Sequence, residues 1–176
     1  MRTPASIAGH PIHAMLIVFP IGLFIFSLAC DIGSFRVADP APWQVVAYFT
    51  MAGGFIGALA AAIPGLIDLL SLTDRDIKRT ALWHMSINLV VVALYAVNLW
   101  LRTQSGGDNH GTVFVLSLIA VGMLVVSGWL GGRMVHEYGV GVDTTARRDV
   151  DISDGREIDT ERSASVAPVA RVSRGG

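Results

Sequence analysis

Histidine is the residue type in this sequence that is best suited to binding a cofactor, and four of the five histidines fall at the ends of apolar segments. His10 and His13 open one such segment, His84 opens another, and His136 follows the last one. Two imidazoles from different helices at one level are what a haem iron needs, with one nitrogen on each face of the porphyrin. The sequence therefore predicts a b-type haem site with His13 and His84 as its ligands, serving electron transfer in a membrane.

A divalent metal ion is the second chemistry that these residues could support. Imidazole and carboxylate groups suit Zn, Cu or Fe, and the predicted ligands are His10, His13, Asp68, His84 and His136. Asn88 lies one helical turn from His84, so we expect it to orient the imidazole ring and to belong to the cofactor site.

Two further interpretations use the same residues without a cofactor. Histidine and aspartate inside a membrane are also the usual groups for proton or ion movement. Alternatively, the histidines lie in the headgroup region of a non-catalytic structural or scaffold protein. No serine or cysteine nucleophile pattern lies near His136 and Glu137, so we expect an electron-transfer subunit rather than an enzyme.

The elements that must position these residues are membrane-spanning helices. Only 15% of the residues are charged, against about 25% in soluble domains, and four stretches exceed the roughly 20 apolar residues that cross a bilayer as a helix. Residues 1–142 are therefore predicted to form an all-α bundle of four transmembrane helices, with Pro20 bending the first and Pro64-Gly65 interrupting the second. The predicted spans are about 11–31, 43–70, 81–101 and 112–132.

The predicted topology brings the histidines to one side of the membrane. At 1.5 Å rise per residue, His13 and His84 each lie about 12 Å from the midplane, at a common level. Seven basic residues fall on that side, including a short basic loop at 75–79, against only Arg36 and Arg102 on the other. This charge bias predicts that both termini are cytoplasmic, and the arginine-, alanine- and glycine-rich composition is typical of a bacterial inner-membrane protein.

The remaining features concern partners. Residues 143–176 mix six arginines with seven acidic residues, which predicts a disordered cytoplasmic tail. Small residues spaced by four in the second span predict close helix packing, either within one chain or between the chains of a homo-oligomer. The same small residues would also leave room for a macrocycle. We expect the lipid bilayer and a redox protein as partners, and a net charge of −1 gives no reason to expect nucleic acid.

Several motifs occur in an order that resembles a bacterial four-span membrane family, catalogued as a domain of unknown function. They are His10-Pro11-Ile12-His13, Val18-Phe19-Pro20-Ile21-Gly22-Leu23, Gly65-x-x-Asp68, His84-x-x-x-Asn88, Gly131-Gly132 and Gly139-Val140-Gly141-Val142. The resemblance covers about residues 8–142 and implies a four-helix integral membrane domain. Some members are fused to Rieske-type iron–sulfur domains, which implies a redox role.

One part of the family pattern differs in this chain. The family has an aromatic residue, a variable residue and then histidine before the closing glycine–valine element, whereas this chain reads His136-Glu137-Tyr138. The resemblance therefore extends to His10, His13 and His84 but not to His136.

Overall fold

Four long helices make up the protein in the computed structural model, which describes residues 3–104 and 109–142. The first span is built from α1 and α2, and each of α3, α4 and α5 forms one further span. Their bounds are α1 Ile12–Leu16, α2 Val18–Ser34, α3 Ala41–Ser71, α4 Arg75–Gln104 and α5 His110–His136. All four spans are long and apolar enough to cross a membrane, so the predicted all-α architecture is confirmed and the protein is a multi-pass membrane protein. The tail predicted at 143–176 lies outside the described residues.

The first span is interrupted at Ile17, between α1 and α2. The cause is Pro20, which has no N–H to donate to the carbonyl four residues earlier and whose ring crowds the preceding turn. The helical backbone hydrogen bonds continue on both sides of the break. The Ile17 N–H donates to the His13 carbonyl, and the Ile21 N–H donates to the Ile17 carbonyl. The predicted bend is therefore present as a break one turn before the proline.

Two predicted boundaries were wrong. Pro64 lies inside α3, which continues unbroken to Ser71, because one proline removes a single backbone hydrogen bond and the packed neighbours hold the rest. The basic residues predicted as a loop at 75–79 are instead the first turns of α4. This helix begins early because Asp74 Oδ1 accepts hydrogen bonds from the N–H groups of Asp76 and Ile77 at 2.9 and 3.1 Å, as an N-cap residue does.

The helices pack in two pairs, α2 with α3 and α4 with α5, and contacts of α3 with α4 and of α2 with α5 close the bundle. The core is centred on Phe24, Met51, Val91, Tyr95 and Ala120. Side chains of α2 pack directly against glycines of α3. A Cβ at position 54 would lie 2.8 Å from the Phe24 ring, and one at position 57 would lie 3.4 Å from Pro20. The small residues at positions 54 and 57 therefore serve packing within the chain, and the expectation of room for a macrocycle stays a prediction.

A short hairpin that the sequence did not predict precedes α1. Strands β1 (Ser6–Ile7) and β2 (His10–Pro11) pair antiparallel around Ala8 and Gly9, whose φ angles of 50° and 81° are both in the left-handed region, as a two-residue type I′ turn requires. The hairpin is attached to the end of α3, because Asp68 Oδ1 accepts the N–H of Ala5 at 2.9 Å. It therefore lies at the end of the bundle that carries His13.

Candidate functional site

His13 lies in α1 and its side chain faces α3. Its Nδ1 is 2.8 Å from the carbonyl oxygen of Ala61, so the neutral ring donates its Nδ1 proton to this carbonyl and keeps a lone pair on Nε2. The contact needs glycine at position 65, where a Cβ would lie only 2.7 Å from His13 Nδ1. The sequence Ala61-x-x-x-Gly65 in α3 is thus shaped around this imidazole.

His84 lies in α4 and is held in the same way by α5. Its Nδ1 is 2.9 Å from the carbonyl oxygen of Ser127, and the Ser127 hydroxyl lies 3.0 Å from the same nitrogen. With that proton on Nδ1, Nε2 is an acceptor, and Asn88 Nδ2 donates to it at 3.1 Å. The predicted contact between Asn88 and the His84 ring is therefore present.

The two imidazoles meet across the bundle. Their ring centroids are 6.3 Å apart and their planes are inclined at 85°, with both side chains half-buried. The histidines thus share one level, as the span arithmetic predicted, although they belong to helices that are far apart in the chain. Their role as cofactor ligands, and that of Asn88, stays a prediction.

The other predicted metal ligands lie elsewhere. His10 is exposed on β2 with its Nδ1 3.0 Å from the Ala8 carbonyl oxygen, and Asp68 is engaged with the hairpin backbone. His136 is exposed and lies nine residues beyond Ser127, about 14 Å further along the helix axis. In residues 3–104 and 109–142, no three His, Cys, Asp or Glu side chains are grouped so that they could hold a metal ion.

Sequence reasoning missed a buried ion pair at the opposite end of the bundle. Arg102 donates to both carboxylate oxygens of Asp31, at 3.0 and 2.6 Å, and the two side chains are only 8% and 4% exposed. The pair joins α4 to α2. In the sequence both residues look like loop charges because they flank apolar stretches, and only the folded bundle shows that their side chains meet and are buried.

Polar side chains of α4 and α5 extend this ion pair. Asn98 Nδ2 donates to the carbonyl of Val113 and to Ser117 Oγ, at 2.8 and 2.9 Å, and Asn98 Oδ1 accepts from Arg102 Nε at 2.9 Å. One turn away, Tyr95 is fully buried and stacks on Phe24 with ring centroids 3.7 Å apart. Its hydroxyl has no hydrogen-bond partner within the described part of the chain.

Comparison with known proteins gives a family but no characterised relative. No curated protein and no solved structure matched the chain. The family model of DUF2231, described as a predicted membrane protein, matches residues 9–144, which includes both histidines of the pair and all four spans. The chain therefore belongs to the DUF2231 family of membrane proteins.

Proposed function

We propose that His13 and His84 together bind one redox centre and that the protein serves electron transfer in the membrane. A b-type haem is the form that the pair supports best. The observation that carries the proposal is that each Nδ1 is fixed on a carbonyl oxygen of a neighbouring helix. Metal-ligating histidines commonly donate their second ring N–H in this way, which fixes the tautomer and makes the other nitrogen more basic.

The separation of the rings supports a shared centre. Two imidazoles that bind one iron from opposite sides through ring nitrogens at about 2.0 Å have ring centres about 6 Å apart, and the observed separation is 6.3 Å. A haem iron needs only two protein ligands, whereas a Zn, Cu or Fe ion in a protein site usually takes three or four. Because the described residues supply two, haem fits the donor set better than a bare ion.

The residues around the pair have distinct tasks under this proposal. Bound haem supplies one-electron chemistry. The carbonyls of Ala61 and Ser127 orient the two rings, while Asn88 occupies His84 Nε2 and must release it for ligation. The Asn88 amide has other acceptors within reach, since it also donates to Ser127 Oγ at 2.7 Å and to the His84 carbonyl at 2.9 Å.

The absorption spectrum and metal content of the detergent-purified protein test the proposal. We expect a Soret band that is lost in His13→Ala and in His84→Ala, while His110→Ala, which changes a histidine at the opposite end of the bundle, retains it. Stoichiometric zinc or copper in a colourless protein would show that the ligand is a metal ion and not haem. A colourless and metal-free protein that takes up neither would overturn the proposal.

A non-catalytic structural role is the second candidate, and one observation favours it. The Asn88 amide and the His84 ring nitrogens all have hydrogen-bond partners inside the protein, so the site satisfies itself without a ligand. Interhelical hydrogen bonds of this kind each contribute about 1 kcal/mol or less in a membrane. Under this role, His84→Ala lowers stability and changes no spectrum.

Location and partners follow from the distribution of charge and glycine. We propose a bacterial inner membrane with both termini cytoplasmic, because the basic residues 75, 78, 79 and 133 lie at the histidine end. A redox partner protein would then exchange electrons with the pair from the cytoplasmic side. Gly128 and Gly132 lie four residues apart on the exposed face of α5 with open space beside them, which suits contact with a second copy.

A further inference from the structure

A cleft lies at the end of the bundle opposite His13 and His84. It is formed where α3 begins, α4 ends and α5 begins, and it has a volume of about 350 Å³. This size falls within the roughly 300–1,000 Å³ of ligand pockets. The polar residues in its lining are Gln44, Tyr48, Arg102, Thr103, Asn109 and His110.

Several of these polar side chains have no hydrogen-bond partner in the described part of the chain. Gln44 and Tyr48 are half-buried and lie one turn apart on the same face of α3. Across the cleft, the His110 ring touches Phe35 edge-on, with ring centroids 6.3 Å apart. Within residues 3–104 and 109–142, neither the Gln44 amide, the Tyr48 hydroxyl nor the His110 ring nitrogens form a hydrogen bond. These side chains are half-buried and have no partner in the described part of the chain, so their polar groups are available to form hydrogen bonds with a ligand in the cleft.

The charge of the cleft favours a neutral ligand. Arg102 is the cationic side chain in the lining, and its guanidinium donates to both carboxylate oxygens of Asp31. The guanidinium charge is thereby balanced within the protein. A phosphate or carboxylate would have to compete with Asp31 for Arg102, whereas a neutral head with oxygen acceptors needs only the unpaired donors.

The apolar side of the cleft opens toward the bilayer. Val45 and Phe49 lie in its lining and are 53% and 67% exposed, so they face lipid. Val113 is 4% exposed and forms the inner wall. A ligand with a polar head and an apolar tail can therefore enter from the membrane and leave its tail along α3.

We propose that this cleft binds the head group of a membrane-soluble quinone. A quinone head is flat, neutral and apolar over its faces, with a carbonyl oxygen at each of two opposite edges. Gln44 and Tyr48 on one side and His110 on the other supply hydrogen-bond donors for those oxygens, and the rings of Tyr48 and Phe49 supply aromatic surface. The site stands independently of the redox centre proposed for His13 and His84.

Quinone binding tests this inference without using any redox activity. The full chain is placed in nanodiscs of zwitterionic lipid, and decylubiquinone and a short-chain menaquinone are titrated while tryptophan fluorescence is followed. We expect saturable binding that weakens at least tenfold in the double variant Gln44→Leu/Tyr48→Phe. The matched control is Gln104→Leu/Tyr138→Phe, which makes the same changes outside the cleft and should bind as the wild type does.

Three outcomes would overturn the inference. The wild type does not bind either quinone saturably, or the cleft variant and the control bind equally well. The third is that anionic phospholipid displaces the quinone from the wild type at stoichiometric amounts, which would make the cleft a headgroup site. Circular dichroism of each variant shows that its helices are retained, so a loss of binding is not a loss of fold.

Discussion

The orientation of His13 depends on the absence of a side chain at position 65. Gly65 lets the imidazole lie against α3, where its Nδ1 reaches the Ala61 carbonyl at 2.8 Å. A methyl group at position 65 would lie 2.7 Å from that nitrogen, so the ring must turn away and lose the bond. The glycine is therefore as much a part of the candidate site as the histidine.

Gly65→Ala tests this dependence. We expect the variant to lose about 1–3 kcal/mol of stability through overpacking and to bind less haem than the wild type, because His13 can no longer keep its position. Thermal unfolding in detergent and the Soret absorbance per chain measure the two effects. Gly122→Ala is the control, since that glycine has open space around it; equal behaviour of the two variants would contradict the assigned role of Gly65.

The buried hydroxyl of Tyr95 provides a second test, because burying it without a partner costs free energy of folding. It is fully buried and has no hydrogen-bond partner in the described part of the chain, and a buried group without a partner costs about 1–3 kcal/mol. We expect Tyr95→Phe to leave stability unchanged or to raise it by about 1 kcal/mol, since the stack on Phe24 is kept. A loss of more than about 1 kcal/mol in denaturant unfolding would show that the hydroxyl has a partner.

Some of the site could be predicted residue by residue and some could not. Counting residues from span centres places His13 and His84 at one level, and a spacing of four places Asn88 on His84. Asp68 looked like a metal ligand because a carboxylate closes an apolar span. No local pattern shows that the chain 63 residues earlier folds back and offers it the N–H of Ala5.

At the scale of elements, α4 and α5 are held in register by two matching contacts. Asn88 donates to Ser127 Oγ at 2.7 Å, and Asn98 donates to Ser117 Oγ at 2.9 Å. The two asparagines are ten residues apart in α4 and the two serines ten apart in α5, as an antiparallel pair requires. This equal spacing is visible in the sequence and could have identified Ser127 as the partner of the histidine site.

The ion pair between α2 and α4 joins the two halves of the bundle, and breaking it should be costly. We expect Arg102→Met to lose about 3–5 kcal/mol, because it leaves the Asp31 carboxylate buried without its cation. The double variant Asp31→Leu/Arg102→Met, which replaces both members of the pair, should recover most of the lost stability. The free energy of unfolding in a mild detergent, titrated with sodium dodecyl sulfate, measures each variant.

An exposed ion pair provides the matched control for that prediction. Arg133 and Glu137 lie four residues apart with side chains 40% and 54% exposed, so solvent screens their attraction. Arg133→Met should therefore leave stability close to that of the wild type. If it were as damaging as Arg102→Met, burial would not be the reason for the cost.

Helix boundaries were less predictable than helix existence, for a physical reason. Apolar length marks the part of a helix that lies in the hydrocarbon, whereas the hydrogen-bonded helix runs on into water until a cap ends it. The first turns of α4 carry Arg75, Lys78 and Arg79, and Asp74 caps this helix before its apolar stretch begins. The charges at positions 75, 78 and 79 therefore mark the end of the apolar stretch and not the end of the helix.

The orientation of the whole molecule in the membrane is open to direct test. The lone cysteine, Cys30, is buried, so Cys30→Ser provides a background for site-specific labelling. We expect Asp76→Cys to be labelled from the cytoplasmic side and Thr103→Cys, at the opposite end, to be labelled from outside. Labelling of position 76 by an impermeant reagent applied from outside would reverse the topology and would place the histidine pair away from the cytoplasm.

For the molecule as a whole, the fold and the family could be predicted from the sequence, because the lengths of the apolar spans and the order of the motifs do not depend on tertiary contacts. The sequence was insufficient for the opposite end of the bundle. The cleft beside Tyr48 and His110 arises where three helix ends meet, and no single segment carries a pattern for it. The same holds for Asp31 and Arg102, which are separated by 71 positions.

Uptake of haem by the purified chain tests the central claim most directly. Haemin is titrated into the apoprotein, and the reduced-minus-oxidised spectrum is recorded for the wild type, His13→Ala, His84→Ala and His110→Ala. The account predicts one haem per chain with a low-spin spectrum in the wild type and in His110→Ala, and loss of that spectrum when either member of the pair is removed. Uptake that is absent from the wild type, or unchanged in both His13→Ala and His84→Ala, would contradict it.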